Sequence, residues 1–413
     1  MTSATATRNS PISATVTGKF AALKSPGYRT YLIGQSLANT GTWMQSIAQD
    51  WLVLRLTHSA AAVGLVMALQ FLPMLFLGVY GGRLADRFPR RRILLVTQTV
   101  NAGLTALLAL LTATGVVRPV HIYVFALLAG LIFAVDAPTR QAFMTDVVPR
   151  GLLRGAISLN AAVFQSTRLI GPAVAGLLMG TVGTGWVFAL NALCYAGPTV
   201  GLLRLRLTDL KPVPSAPPEH GALRTTGRYV LHRPHLAWTI LLVGVVGMFG
   251  LNFPIVLTAM ATGTFGGGAG TYALFNVMLA IGSIAGALLA GSRLHTRLRL
   301  IVLAGAAFGL CQVAAAVAPS ISVFLVLLAA MGLSNLAFQS MANSSVQLWS
   351  DPRLRGRVMG LYMLVFTGGT PIGAPIVGAI TSQFGPRTGM TVCGAVPVVA
   401  AAGLVLHHVR RHA

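Results

Sequence analysis

Runs of about twenty residues almost without charge return along the whole chain, and that length is what one helix needs to cross the hydrocarbon of a bilayer. Twelve such runs can be marked, near 30–54, 61–82, 93–115, 120–143, 156–180, 184–204, 236–260, 270–291, 300–318, 321–346, 357–381 and 388–408. They lack the alternating pattern of a membrane barrel strand, and lipid leaves no backbone group unpaired, so the runs read as helices. Composition agrees: 55% of the residues are hydrophobic and 9% are charged, whereas soluble domains carry roughly 25% charged residues. The expected class is an all-α membrane protein with twelve transmembrane helices in two pseudo-symmetric six-helix bundles.

A formal net charge of +23 would suit nucleic acid if the basic residues were clustered. Here Asp and Glu number only seven, and the basic residues sit between apolar runs, which is the pattern of membrane orientation. With both termini in the cytoplasm, all but four of the thirty Lys and Arg fall inside: Arg55, Arg118 and Arg387 fall outside, and Arg168 falls within a span. A span missed or added in the first half would move every later loop to the other face, so the asymmetry supports an even count. The expected organisation is a cytoplasmic tail over 1–29, an N-terminal bundle over 30–204, a cytoplasmic linker over 205–235, a C-terminal bundle over 236–408 and a short cytoplasmic tail over 409–413. The first tail reads as disordered and lacks the apolar stretch of a cleavable signal. The linker is rich in Pro and charge, with Asp209 and Glu219 solvated. Cys194, Cys311 and Cys393 lie far apart inside apolar runs and read as packing residues. Arg outnumbers Lys 27 to 3, a coding bias of high-GC bacteria, so the location expected is a bacterial cytoplasmic (inner) membrane.

The halves echo each other. "PRGLLRG" at 149–155 returns as "PRLRG" at 352–356, and "IGPAVAG" at 170–176 returns as "IGAPIVG" at 372–378. Internal repeats of this kind are how many transporters build a central site that alternates between two faces.

Five arginines and one aspartate crowd into "GGRLADRFPRRR" at 81–92, at the cytoplasmic end of the second span. One reading is a topology anchor. The other uses the remaining residues: Gly78 and Gly82 at small-x-x-x-small spacing let another helix approach, and Asp86 can pair with Arg or meet a helix N-terminus as a breakable latch. The string resembles the G-x-L-A-D-R-x-G-R-[RK] signature of the major facilitator superfamily through Gly82, Leu84, Ala85, Asp86, Arg87, Arg90 and Arg91, with Pro89 in place of the second glycine. "SPGYRTYLIGQSLANTGTWMQSIAQDWLVLRLT", "FAVDAPTRQAFMTDVVP", "LNAAVFQSTRLIGPAVAG" and "GRVMGLYMLVFTGGTPIGAPIVG" are similar to the branch that holds the enterobactin exporter and related bacterial drug-efflux proteins. This resemblance implies the major facilitator fold, a monomer, and a signature that closes a cytoplasmic gate when the halves rock. The counterpart "GSRLHTRLR" at 291–299 has His295 where Asp86 would fall, so the latch is lopsided. "STRLIGPAVAG" resembles the fifth-helix signature of facilitator antiporters in Gly171, Pro172 and Gly176; an ordinary kinked membrane helix explains the same residues.

An ionisable group at mid-bilayer costs about 2.5–3.5 kcal/mol on insertion scales and marks a pathway or a partner. Asp50 lies near the outer end of the first span, Asp136 in the inner half of the fourth and Arg168 near the middle of the fifth. Asp136 and Arg140 stand four apart and can satisfy each other; alternatively, Asp136 in an apolar cavity takes and releases a proton. Arg168 keeps its charge and suits a counter-ion or an anion contact, sharing a network with Asp136. Asp50 is a further coupling candidate or a hydrated surface group. Cavity lining is expected from Trp43, Gln45, Gln49, Gln70, Phe164, Gln165, Asn252, Asn276, Asn335 and Gln339, which suit an amphipathic guest.

Gly18-Lys19 lacks the Walker pattern, and there is no H-E-x-x-H or G-x-S-x-G. No enzyme, metal site or cofactor is expected. The best reading is a secondary transporter that exports small amphipathic molecules, a drug, antibiotic or siderophore, by proton antiport and alternating access. A nutrient importer is the alternative, and a non-transporting receptor or scaffold is a third.

Overall fold

The computed structural model describes residues 21–148, 152–205, 222–291, 298–351 and 354–410, with the side chains at 21, 79, 82, 83, 85, 86, 154, 222–224, 288–291 and 407–410 outside that description. The elements among them are helices: α1 (Pro26–Thr57), α2 (Ala60–Arg87), α3 (Arg90–Ala113), α4 (Pro119–Val147), α5 (Leu153–Thr181), α6 (Thr184–Cys194), α7 (Ala196–Arg204), α8 (Ala222–Leu231), α9 (Pro234–Val245), α10 (Phe253–Ala259), α11 (Ala269–Gly291), α12 (Leu298–Ala316), α13 (Ile321–Trp349), α14 (Arg355–Gly368), α15 (Thr370–Phe384) and α16 (Pro386–Arg410). No strand occurs among the described residues.

Eleven stretches of the described residues are long and apolar enough to cross a membrane: α2, α3, α4, α5, α6 with α7, α9 with α10, α11, α12, α13, α14 with α15, and α16. The run at 30–54 corresponds to α1, whose 32 residues are long enough to cross. Gln35, Gln45, Gln49 and Asp50 keep it polar, and all four side chains are buried. A helix at the middle of a bundle packs against other helices and does not have to satisfy lipid.

Proline punctuates the long spans. Pro254 has no N–H to give Gly250 and its ring crowds that carbonyl, so the seventh span breaks between a π-turn at Val246–Gly250 and α10. The break is deep, and its carbonyls are satisfied by side chains: Asn252 Nδ2 donates to Met248 O at 2.8 Å and Phe249 O at 3.0 Å, and Gln312 Nε2 donates to Gly250 O at 3.3 Å. Asn252 therefore fills the helix break and does not line a cavity as expected; its exposure is zero.

The sequence echo has a structural counterpart at a constant spacing of 202 residues. Gly171 packs α5 on α1, where an added Cβ would come within 2.5 Å of the Trp43 Cβ. Gly373 packs α15 on the seventh span, where a Cβ would meet the Met248 carbonyl. Gly176 faces Ala273 of α11, and Gly378 faces Ala60 and Ala61 of α2. Gly183 and Gly385 each begin the following helix with positive φ, 94° and 89°.

Among the described residues the broadest seams between the halves are α5 on α11 and α2 on α15. Both lie at the end of the bundle where α1 turns into α2. A Cβ on Gly64 would stand 2.5 Å from the Ala374 carbonyl, and Ser382 Oγ accepts from the Ala61 N–H at 2.9 Å.

The linker expected at 205–235 is only partly described. Residues 206–221, with Asp209 and Glu219, lie outside the described set, as does the tail before residue 21. The last part of the linker is helix α8, not Pro-rich coil. It is tied to the second half by Tyr229, whose hydroxyl accepts from the Asp351 N–H at 3.0 Å.

Candidate functional site

The signature at 81–92 stitches helices within the first half. Arg90 opens α3 and donates through Nη1 to both oxygens of Asp146 at the end of α4, at 2.7 and 3.0 Å. Arg91 donates to the carbonyls of Leu202 and Leu203 at 2.8 and 3.0 Å, where the last carbonyls of α7 are unpaired and its dipole is negative. Arg87 lies 5.9 Å from the Phe88 ring. Asp146 was not among the expected residues, although a lone acid in a basic stretch is the signal that had singled out Asp86. The side chains of Gly82 and Asp86, and all of His295, lie outside the described residues. The close approach expected at Gly78 does not occur, since a Cβ there would meet only Met74 of its own helix. Gly81 and Gly130 make the approach instead, because a Cβ on either would meet the backbone of the opposite helix.

Asp136 and Arg140 form an ion pair one turn apart on α4. Asp136 also accepts from Thr97 Oγ1 at 2.7 Å and Gln98 Nε2 at 3.3 Å, and Arg140 reaches Gln35 Oε1 at 3.5 Å. Gln35 in turn donates to the Tyr31 hydroxyl at 3.2 Å. The cluster joins α1, α3 and α4 and lies wholly in the first half. Gln98 Oε1 and Arg140 Nε remain buried without partners among the described residues.

Arg168 does not share that network. Its guanidinium stands 5.5 Å from the Trp43 ring centroid, and Trp43 packs edge to face on Phe164 at 5.8 Å. Asp50 is not a hydrated surface group: it is 4% exposed and accepts from the Tyr272 hydroxyl of α11 at 3.0 Å. That bond crosses from one half to the other beside the α5–α11 seam.

The amides divide. Gln45 Oε1 accepts from Thr105 Oγ1 at 3.0 Å and Asn191 Nδ2 at 2.5 Å, bracing α1, α3 and α6 rather than lining a cavity. Gln49 is buried. Asn276 is half-buried and donates to its own helix at Tyr272 O, 2.9 Å. Gln339 is half-buried and donates to Asn335 Oδ1 at 2.9 Å, leaving the buried Asn335 Nδ2 unpartnered among the described residues. Gln70 and Gln165 are half-buried.

A family described as transmembrane secretion effectors matches residues 17–412. The multidrug efflux pump Tap of Mycobacterium tuberculosis is 26% identical over 373 residues, covering 86% of this chain and 87% of the relative. The enterobactin exporter EntS of Salmonella typhimurium is 25% identical over 376 residues, 89% of each chain. The staphyloferrin A transporter of Staphylococcus aureus is 28% identical over 248 residues, 59% of this chain, and the match spans 62% of that relative's length. In fold, the chain superposes on a bacterial homologue of the human lysosomal transporter Spinster, solved inward-facing and unoccupied, with a TM-score of 0.72 at 15% identity over 91% of this chain and 96% of that one. A bacterial homologue of the iron transporter ferroportin, also inward-facing, gives 0.68 at 14% identity over 91% and 97%. The chain is a multi-pass membrane protein with the fold of the major facilitator superfamily, and it belongs to the transmembrane secretion effector family.

Proposed function

We propose that this protein exports a small amphipathic molecule, a siderophore or a drug, by alternating access driven by proton entry. The observation that carries the reading is the Asp50–Tyr272 bond. It closes a seam that must part if the halves are to rock, and the carboxylate has no cation beside it among the described residues. A carboxylate held by a guanidinium inside one half, as Asp136 is, keeps that partner whichever way the halves tilt. One held by a phenol across a moving seam exchanges that partner for water each time the seam opens, so its proton affinity changes with conformation. The coupling proton is therefore assigned to Asp50, and Asp136 with Arg140 to the frame.

Placed in a bacterial inner membrane with both termini cytoplasmic and as a monomer, the end closed by the two seams faces outward. The efflux pump and siderophore exporter among the relatives support the direction. Everted vesicles from expressing cells test it. The wild type is expected to accumulate at least one compound from a panel of macrolides, cationic dyes and catecholates when the vesicle interior is acid. Asp50→Asn is expected to lose that dependence while keeping substrate exchange without a gradient. Gradient-driven accumulation by Asp50→Asn at the wild-type rate rejects the assignment, and greater retention of the panel by intact expressing cells rejects export.

A further inference from the structure

Arg168 carries a permanent charge at the middle of α5, and the described residues supply it with no hydrogen bond and no ion pair. The carboxylates described in the spans are engaged elsewhere: Asp50 by Tyr272, Asp136 by Arg140, and Asp146 by Arg90. A cation left alone at that depth is costly unless it faces water or an anion.

The direction it faces follows from helix geometry. Gly171 of α5 touches α1, and Gly176 touches α11. At 3.6 residues per turn, Arg168 lies about 60° round the helix from Gly171 on the way to Gly176, which lies about 140° round. It therefore points into the space between α1 and α11, the inner helices of the two halves. Trp43 is on the matching side of α1, two turns from Asp50 and on the same stripe, so the guanidinium sits about 10 Å below the bond that closes the seam.

Nor does the fold require this charge. At the spacing that relates Gly171 to Gly373 and Gly176 to Gly378, the counterpart of Arg168 is Thr370. The same tight packing is thus built in the second half without a cation. What the first half adds is a fixed positive charge over one aromatic ring, with a second ring against that one.

From this we infer that Arg168, Trp43 and Phe164 form the anion-recognising subsite of the transport cavity, and that the guest is an organic anion carrying a flat ring or similar apolar plate. The guanidinium takes a carboxylate or catecholate oxygen through two N–H donors, while Trp43 and Phe164 cover the apolar part. A cationic amphiphile meets repulsion from Arg168 and finds no idle carboxylate among the described residues. This deepens the export reading and rests on it for the cavity's role.

Equilibrium binding tests it, using the purified full-length chain and a size-matched pair of probes, 2-naphthoate and 2-naphthylmethylammonium, with no gradient present. The wild type is expected to bind the anion at least tenfold more tightly. Arg168→Gln is expected to weaken the anion about 10- to 100-fold, the range of one charge-assisted contact, and to leave the cation unchanged or improved. Arg168→Lys is expected to retain most of the preference. Equal binding of the two probes, a preference for the cation, no binding of either, inorganic phosphate matching the naphthoate, or an undiminished preference in Arg168→Gln overturns the subsite. The wild-type preference is read without any variant, so a misfolded Arg168→Gln does not remove the test. Because binding needs no transport, selective binding without export counts against the export reading, whereas export without anion selectivity counts against the subsite.

Discussion

At the scale of single residues, the intramembrane charges separate into three situations. Asp136 is compensated, Asp50 is bonded to a neutral phenol across a seam, and Arg168 has no ion-pair partner among the described residues. Each predicts a different response to neutralisation. Asp136→Asn leaves the half-buried Arg140 guanidinium without its carboxylate, which is expected to cost about 1–3 kcal/mol, read as a fall in melting temperature of the purified protein. Adding Arg140→Gln to the same chain is expected to recover most of that loss, because the two neutral amides then need only hydrogen bonds. A single variant as stable as the wild type would mean that the pair does not hold the frame. The Asp136–Arg140 pairing was legible from a spacing of four residues on one helix. That Arg168 stood outside the network was not, because its depth in the fifth span says nothing about which face of the helix it occupies. The burial of Asp50, which the sequence left as either a coupling candidate or a hydrated group, was not legible for a related reason: a residue near the end of a span looks hydrated until a second helix, 222 residues later in the chain, covers it.

At the scale of elements, glycine decides which helices can touch. The α2–α4 contact brings backbone against backbone, with Gly81 facing Ala134 and Gly130 facing Gln70. Gly130→Ala puts a methyl group against the Gln70 carbonyl, and the overpacking is expected to cost about 1–3 kcal/mol, measured as a lower melting temperature. Gly78→Ala, with only Met74 nearby, is expected to change stability little, so equal losses in the two variants would contradict the packing. The runs of apolar residues placed the helices, since span length is set by bilayer thickness. They did not show that the sixth, seventh and eleventh spans are interrupted. Nor did the Asn and Gln of those spans announce whether they line a cavity or repair a break: Asn252 repairs one beside Pro254, and the two uses draw on the same amide chemistry.

At the scale of the whole molecule, the two seams determine which end is shut. Both are made of small residues, with Gly64 and Gly378 against backbone in the α2–α15 seam and Gly176 against the Ala273 methyl in the α5–α11 seam, so a larger side chain has no slack to take up. Gly64→Val and Gly378→Val are each expected to wedge the α2–α15 seam and shift the population towards opening at that end. Spin labels across the seam would read this as a longer distance distribution, and unchanged distances in both variants would mean that the seam is not a moving contact. The repeat at 170–176 and 372–378 foretold that the two bundles would be built alike. It could not show that its last glycines would be the ones that meet the opposite half, because a repeat records descent within each bundle and not the docking between them. The polarity of α1 carries a consequence for how the protein is made. Lipid would accept α1 poorly by itself, since its Gln and Asp side chains find their partners on α3, α4, α6 and α11, all of which follow it in the chain. Membrane insertion must therefore shelter α1 until those helices arrive, and a truncated chain that ends before them would leave α1 without a stable home.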